Sequence, residues 1–340
     1  MTHTILEDAH AVILPAFAET RLSDACKTFL DRGGVSILLG ESREEYVARE
    51  MSDKRRHSET PETFRRVVTD AKSHAENLLV AVDQEIGGTC RMHDLVPQFH
   101  EASELATTSD AEIEDLARRI GRACSDMGVN CFLAPVLDLL TGENPWLKGR
   151  TFSTDPELVG RISAAFVRGV QSAGVAATAK HFPGFHNIAR DPAIDPNAMV
   201  TDPPESFEAG FGPFRDVIAS QVEMVMVGPA ITRAFDPHRA ALRSKPVVDI
   251  LKDDLNFQGI VLADDLDSKA TMRGDSIQTV ALDAINAGCD FLLLADLETQ
   301  LSDVAQAVAA AASDNRISRT GLSASANRVR ELARKYRTAV

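Results

Sequence analysis

Residues 175–181 read Val175-Ala-Ala-Thr-Ala-Lys-His181. Small and apolar residues stand in a row, and then a cation and a titratable ring replace them abruptly. A run with no apolar–polar alternation suits a strand buried on both faces, as in a parallel sheet. The segment before it opens at Thr154-Asp155-Pro156-Glu157, a cap with proline at the first helical position, and closes near Gly174. Helix, strand, then charge is the unit of an α/β protein that keeps its chemistry at the C-terminal ends of its strands.

The unit recurs in both directions. Apolar runs at Ala11–Ala16, Gly34–Leu39, Leu78–Val82, Asn130–Val136, Val175–Ala179, Glu223–Val227, Ile260–Ala263 and Asp290–Leu294 predict eight strands. Helix signals fill the gaps. Thr60-Pro61-Glu62 caps one helix, and Ser109 with Glu112 forms a capping box for another that runs to about Met127. Ser206 opens a helix ending near Ser220, and Asp275–Ala287 stops at Gly288. Ser323–Tyr336 reads as a final amphipathic helix packed on the rest. Eight strands in 340 residues predict one domain over 1–340, a (β/α)8 TIM-type barrel. A doubly wound open sheet is the other α/β option, but it usually carries a glycine-rich nucleotide turn. Neither GxGxxG nor GxxxxGK[ST] occurs.

Composition narrows the function. Acidic residues number 50 against 36 basic ones, a net charge of −14, so a basic nucleic-acid face is not expected. No run approaches the roughly 20 apolar residues that span a membrane. Glu7 and Asp8, not a basic stretch, precede the first apolar run, which does not read as a signal peptide. The 5 cysteines are scattered, without a CxxC pair, and read as reduced thiols of a cytoplasmic protein.

The residues that follow the strands carry the chemistry. They are Asp83-Gln84-Glu85, Asp138 and then Arg150, Lys180-His181, Asp264-Asp265, and Asp296. Gathered at one mouth they make a carboxylate-rich pocket with cations in it. Such a pocket bonds sugar hydroxyls and stabilises an oxocarbenium-like transition state. A divalent metal is the competing use of clustered carboxylates, but no HExxH or Asp-x-Asp-x-Asp loop occurs, so neither metal nor organic cofactor is expected. Glu85 reads as a partner for Arg91, Trp146 as either a sugar-stacking or a loop-packing ring, and His93 and His100 as surface residues.

Four separated segments resemble one family. They are Ala134–Leu140, Asn144–Val159 with its Pro-Trp-Leu-Lys-Gly-Arg-Thr-Phe core, Ala179-Lys-His-Phe-Pro-Gly184, and Phe257–Leu266 with its Ala-Asp-Asp-Leu end. In this order they resemble glycoside hydrolase family 3, in particular its single-domain bacterial β-N-acetylhexosaminidases. The resemblance covers roughly residues 10–300. It implies a (β/α)8-type barrel and a retaining mechanism through a covalent glycosyl-enzyme. Asp264 falls on the nucleophile position. Lys180, His181, Arg150 and Asp83 match residues that hold the sugar. The Asp-x-Glu-Gly-Gly element reads Asp83-Gln-Glu-Ile-Gly-Gly88, with Ile86 inserted.

One departure matters for mechanism. Where the family has an Asp-Ser-His acid/base loop, this chain reads Asp191-Pro192-Ala193. Asp191 is kept and the histidine is Ala193. A general acid is worth roughly 10²–10⁴-fold to a glycosidase, most for a poor leaving group. Three readings follow. His186 on the same loop, or Asp191 or Asp195, supplies the proton. Alternatively the leaving group or acceptor needs none, as in a phosphorylase or transglycosidase. In the third, the protein binds a sugar without turning it over.

Overall fold

The computed structural model describes residues 3–99, 102–295, 300–338 and 340. Its frame is a closed parallel barrel. The barrel strands are β1 (Ile13–Phe17), β2 (Ser36–Leu39), β3 (Leu79–Val82), β4 (Cys131–Phe132), β5 (Ala176–Phe182), β7 (Met224–Val227), β9 (Ile260–Ala263) and β10 (Phe291–Leu294). They pair in chain order, and β10 closes on β1 through Ile13 opposite Leu292. The remaining strands, β6 (Met199–Val200) and β8 (Ile231–Thr232), form a separate parallel pair outside the barrel. All eight expected strands are therefore present. The run at 130–136 pairs as a strand only over Cys131–Phe132, with a single bridge from Val136 to Lys180 beyond it.

Alternation along each strand divides the core in two. Leu14, Leu38, Leu79, Ala81, Leu133, Met224, Met226, Leu262 and Leu293 belong to an inner cluster. Their neighbours Ile13, Ile37, Val80, Val82, Val225, Val261 and Leu292 pack in the larger cluster with the surrounding helices. This double burial explains why the strands read as continuous apolar runs. The last helix, Arg319–Lys335, adds Val329, Leu332 and Ala333, with Tyr336 just beyond it, to the inner cluster. Asn130 ties that end down: its side chain donates to the carbonyls of Leu78 and Tyr336, each at 2.8 Å.

The longest strand, β5, positions the chemistry. Lys180 pairs with Met226 and Phe182 with Val227, so the register slips at His181. Such a bulge re-aims side chains that strict alternation would send to opposite faces. Both Lys180 and His181 consequently reach the barrel mouth.

Candidate active site

A cavity of about 830 Å³, counting its open mouth, lies at the C-terminal ends of the strands. That is the end where barrels of this type carry their sites, and the size admits a sugar. Asp83, Arg150, Lys180, His181 and Asp264 all line it. The five residues expected for sugar binding and nucleophilic attack are thus brought together from four strand ends.

Lys180 and Arg150 are held by carboxylates. The Lys180 ammonium lies 2.5 Å from Asp83 and 2.8 Å from Glu85. Arg150 Nη2 donates to Glu85 Oε1 at 2.6 Å, and its Nε lies 3.1–3.2 Å from the two Glu85 oxygens. Burial opposes charge on all three, but the attraction wins. Arg150 and Lys180 hold Glu85 ionised well below the usual range, and Asp83 and Glu85 hold Lys180 protonated. Glu85 therefore serves Arg150 and Lys180, not Arg91 as the sequence reading has it. Arg91 is instead clamped by Glu59 at 2.7 and 2.8 Å. Gly88 leaves room for the Glu85 carboxylate, since a Cβ there would stand 2.0 Å from Glu85 Oε2.

His181 is oriented from below. Its Nδ1 lies 2.7 Å from Asp138, whose carboxylate also accepts the His181 and Phe185 amides at 3.0 and 2.7 Å. Burial pushes the imidazole down to about 4 against the pull of Asp138, so the ring is neutral at neutral pH. Nδ1–H donates to Asp138, and Nε2 faces Asp264 Oδ2 at 4.0 Å. Trp146 packs on this ring with centroids 4.5 Å apart and is itself buried, so it supports His181. Its indole N–H donates to the Tyr46 hydroxyl at 2.9 Å, as does Arg150 Nη1.

Asp264 follows β9 and is 7% exposed. Its Oδ1 accepts the Asp265 amide at 2.8 Å. Burial pushes its carboxyl up to about 6, which still leaves it mostly ionised at neutral pH.

The expected acid/base group is placed differently. His186 is buried and does not line the cavity. Its Nδ1 accepts the Leu139 amide at 3.0 Å, and its Nε2 is buried without a partner. The ring sits where Gly210 leaves room, since a Cβ there would lie 2.3 Å from Nε2. Asp191 also lies outside the lining, and it turns back to accept the Ala193 amide at 2.9 Å. Pro192 and Ala193 form the wall at this point. The loop that holds them is pinned by the Ala270 amide, which donates to the Pro192 carbonyl at 3.0 Å. Neither His186 nor Asp191 thus meets Asp264 across the cavity.

Glu41 and Tyr46 are functional candidates that the sequence did not single out, and Asp138, expected in the carboxylate-rich pocket, instead holds His181 from below. Asp138 could be found because it stands where an apolar run ends; Tyr46 lies inside a helix, Arg43–Ala48, and carries no such signal. His93, expected at the surface, is buried against Glu59. Asp296 and His100 lie outside the described residues. Among the described residues no group of His, Cys, Asp and Glu is arranged to hold a metal, and no helix is long and apolar enough to cross a membrane.

The structure is thus a parallel barrel that gathers two cations and a buried carboxylate at its C-terminal mouth. The chain belongs to glycosyl hydrolase family 3: residues 20–332 match its N-terminal domain. It is 32% identical over 227 residues to a β-hexosaminidase of Nitrosomonas eutropha, a match covering 64% of each chain. It is also 32% identical over 254 residues to one of Alkalilimnicola ehrlichii, covering 70% of this chain and 71% of that one. Among solved structures it resembles a family 3 β-N-acetylglucosaminidase of Paenibacillus, with a TM-score of 0.87 at 25% identity. That match covers 98% of this chain and 63% of the other. A β-N-acetylhexosaminidase of Beutenbergia cavernae shares the fold over 98% of this chain and 99% of its own, with a TM-score of 0.84 at 21% identity.

Proposed function

We propose that the protein is a retaining glycosidase for β-linked N-acetylhexosaminides. The single observation that carries this reading is the convergence of Asp264, Lys180, His181, Arg150 and Asp83 on one cavity. Membership of the family and likeness to β-hexosaminidases support the substrate class.

In this reading an oxygen of Asp264 attacks the anomeric carbon as the glycosidic bond breaks, and the leaving oxygen carries off the electron pair. Water then cleaves the glycosyl ester and releases the sugar with retained configuration. Lys180 and neutral His181 bond the sugar hydroxyls. The buried Glu85 fixes Lys180 and Arg150 so that they are already oriented when the sugar arrives. Positive charge developing at the ring is stabilised by the buried carboxylate of Asp264.

The wall at Ala193 offers no proton to the leaving oxygen. This favours substrates whose leaving group is already acidic, and it equally supports a second reading, a sugar-binding protein that turns over slowly or not at all. A time course with 4-nitrophenyl N-acetyl-β-glucosaminide and 2,4-dinitrophenyl glycosides tests both. The expected result is release that Asp264→Ala abolishes, faster for the dinitrophenolate, with azide and phosphate compared as acceptors. Sugar binding without release from any activated glycoside would overturn the hydrolase reading.

A further inference from the structure

Glu41 follows β2 and enters the cavity on the side of Asp83. Its Oε2 is sealed from solvent and has no hydrogen-bond partner. The charges acting on it come from several elements. Asp83, Glu85 and Arg91 lie on the chain after β3, and Lys180 lies on β5. Arg43, two residues beyond Glu41, lines the same cavity, as do Arg150, Asp264 and Asp265. The two cations that act on Glu41 most directly are committed elsewhere. Arg91 holds Glu59 with both terminal nitrogens and the Gly40 carbonyl with Nε at 2.6 Å. Lys180 is shared between Asp83 and Glu85.

An ionised carboxylate sealed beside two other carboxylates, with no donor on one oxygen, is an unfavourable arrangement. A protonated one is not, provided its O–H finds an acceptor. Glu41 as a whole is partly exposed, so its other oxygen, Oε1, faces the open cavity, and that is where the acceptor would come from. Asp83 already gives this side of the cavity an acceptor, whereas a sugar hydroxyl needs a donor as well.

We propose that Glu41 is a sugar-recognition residue whose carboxyl group donates a hydrogen bond to a glycone oxygen beside Asp83. Together the two residues form a donor–acceptor pair that selects a glycone with free hydroxyls at that end. The proposal rests on the sugar-binding reading of this cavity, but not on turnover. Burial, reinforced by the charge of Asp83, pushes the Glu41 carboxyl up to about 8, so its proton is present at neutral pH and lost above it. Glutamine mimics the neutral acid in shape and keeps a donor, whereas alanine does not.

The test is calorimetric binding of N-acetylglucosamine, with turnover of its 4-nitrophenyl β-glycoside, for the wild type, Glu41→Gln and Glu41→Ala across the alkaline range. Wild-type binding should weaken about tenfold per pH unit above the Glu41 transition. Glu41→Gln should bind within about threefold of wild type at neutral pH and lose the alkaline fall. Glu41→Ala should bind about tenfold more weakly throughout, the cost of one hydrogen bond. An infrared difference spectrum, wild type minus Glu41→Gln, should show a protonated carboxyl band at neutral pH that vanishes in alkali.

An alkaline fall shared by wild type and Glu41→Gln, or an alanine variant that binds like wild type, would overturn the proposal while leaving any observed turnover standing. pH-dependent binding without turnover would support the role of Glu41 and remove only the hydrolase reading. No sugar binding by the folded wild type would overturn both.

Discussion

At the scale of single residues, the same physics shifts the site's carboxyl groups in opposite directions. Glu85 is ionised because two cations touch it, whereas Asp264 is pushed up because burial outweighs its partners. That makes Asp264 costly to the fold. Its pKa rises from 3.8 to about 6 on folding, so the folded state binds the proton more tightly. Stability is then lost as pH rises through that window and is level above it. Asp264→Asn should therefore abolish turnover and yet raise the melting temperature at neutral pH, a gain on the order of 2–3 kcal/mol. The gain should vanish below about pH 4, where both states are protonated. Melting curves of the two proteins at several pH values would show it, and a gain independent of pH would assign it to packing instead. In the wild type kcat/KM should fall below about 6 as Asp264 takes up its proton. A flat acid limb in the pH–rate profile would remove Asp264 from the nucleophile's role.

At the scale of elements, the regular parts were legible and the irregular ones were not. The eight runs could be found because a doubly buried strand must be apolar on both faces. Ser109 caps Asp110–Ser125 and Thr60 caps Pro61–Lys72, since a side-chain oxygen facing free amides is a local signal. Ser206 failed as a cap: Pro203 and Pro204 lead into a 3₁₀ turn, and the helix Glu208–Ala219 starts after it without a side-chain cap. The final helix starts four residues earlier than the sequence suggested, at Arg319 behind Ser318. Asp83 and Asp264 could be found because polarity begins where their strands end, Lys180 and His181 because charge breaks the apolar run inside β5, and Arg150 because a family motif carries it. The position of His186 could not, since which way a loop folds depends on contacts such as that of Ala270 with Pro192. That loop makes its own prediction. Position 193 lines the cavity and Asp191 stands two residues before it. Ala193→His should speed release of a poor leaving group by about 10–100-fold and change that of dinitrophenolate little. Equal effects on both would show that the new ring does not act as a proton donor.

At the scale of the whole molecule, chemistry and stability sit at opposite ends of the barrel. The mouth carries sealed charges, a carboxyl group that burial pushes up and a buried imidazole, all poorly suited to holding a fold together. The other end is closed by the last helix, where Val329, Leu332, Ala333 and Tyr336 join the inner strand residues. The Tyr336 hydroxyl donates to Glu223 at 2.8 Å, and burial with that carboxylate beside it raises its pKa, so the phenol keeps its proton. A plug that packs on β9 and β10 from within the inner cluster is well placed to set the cost of opening the barrel, while its distance from the mouth leaves the site alone. Leu332 is 4% exposed, so Leu332→Ala leaves a cavity in this plug and should cost about 3 kcal/mol in denaturant unfolding. Below its melting temperature the variant should keep the wild-type affinity for N-acetylglucosamine and the wild-type response to pH. A variant that melts like wild type would show that the barrel does not depend on its plug. One that loses sugar affinity while still folded would show that the inner cluster transmits strain from one end of the barrel to the other.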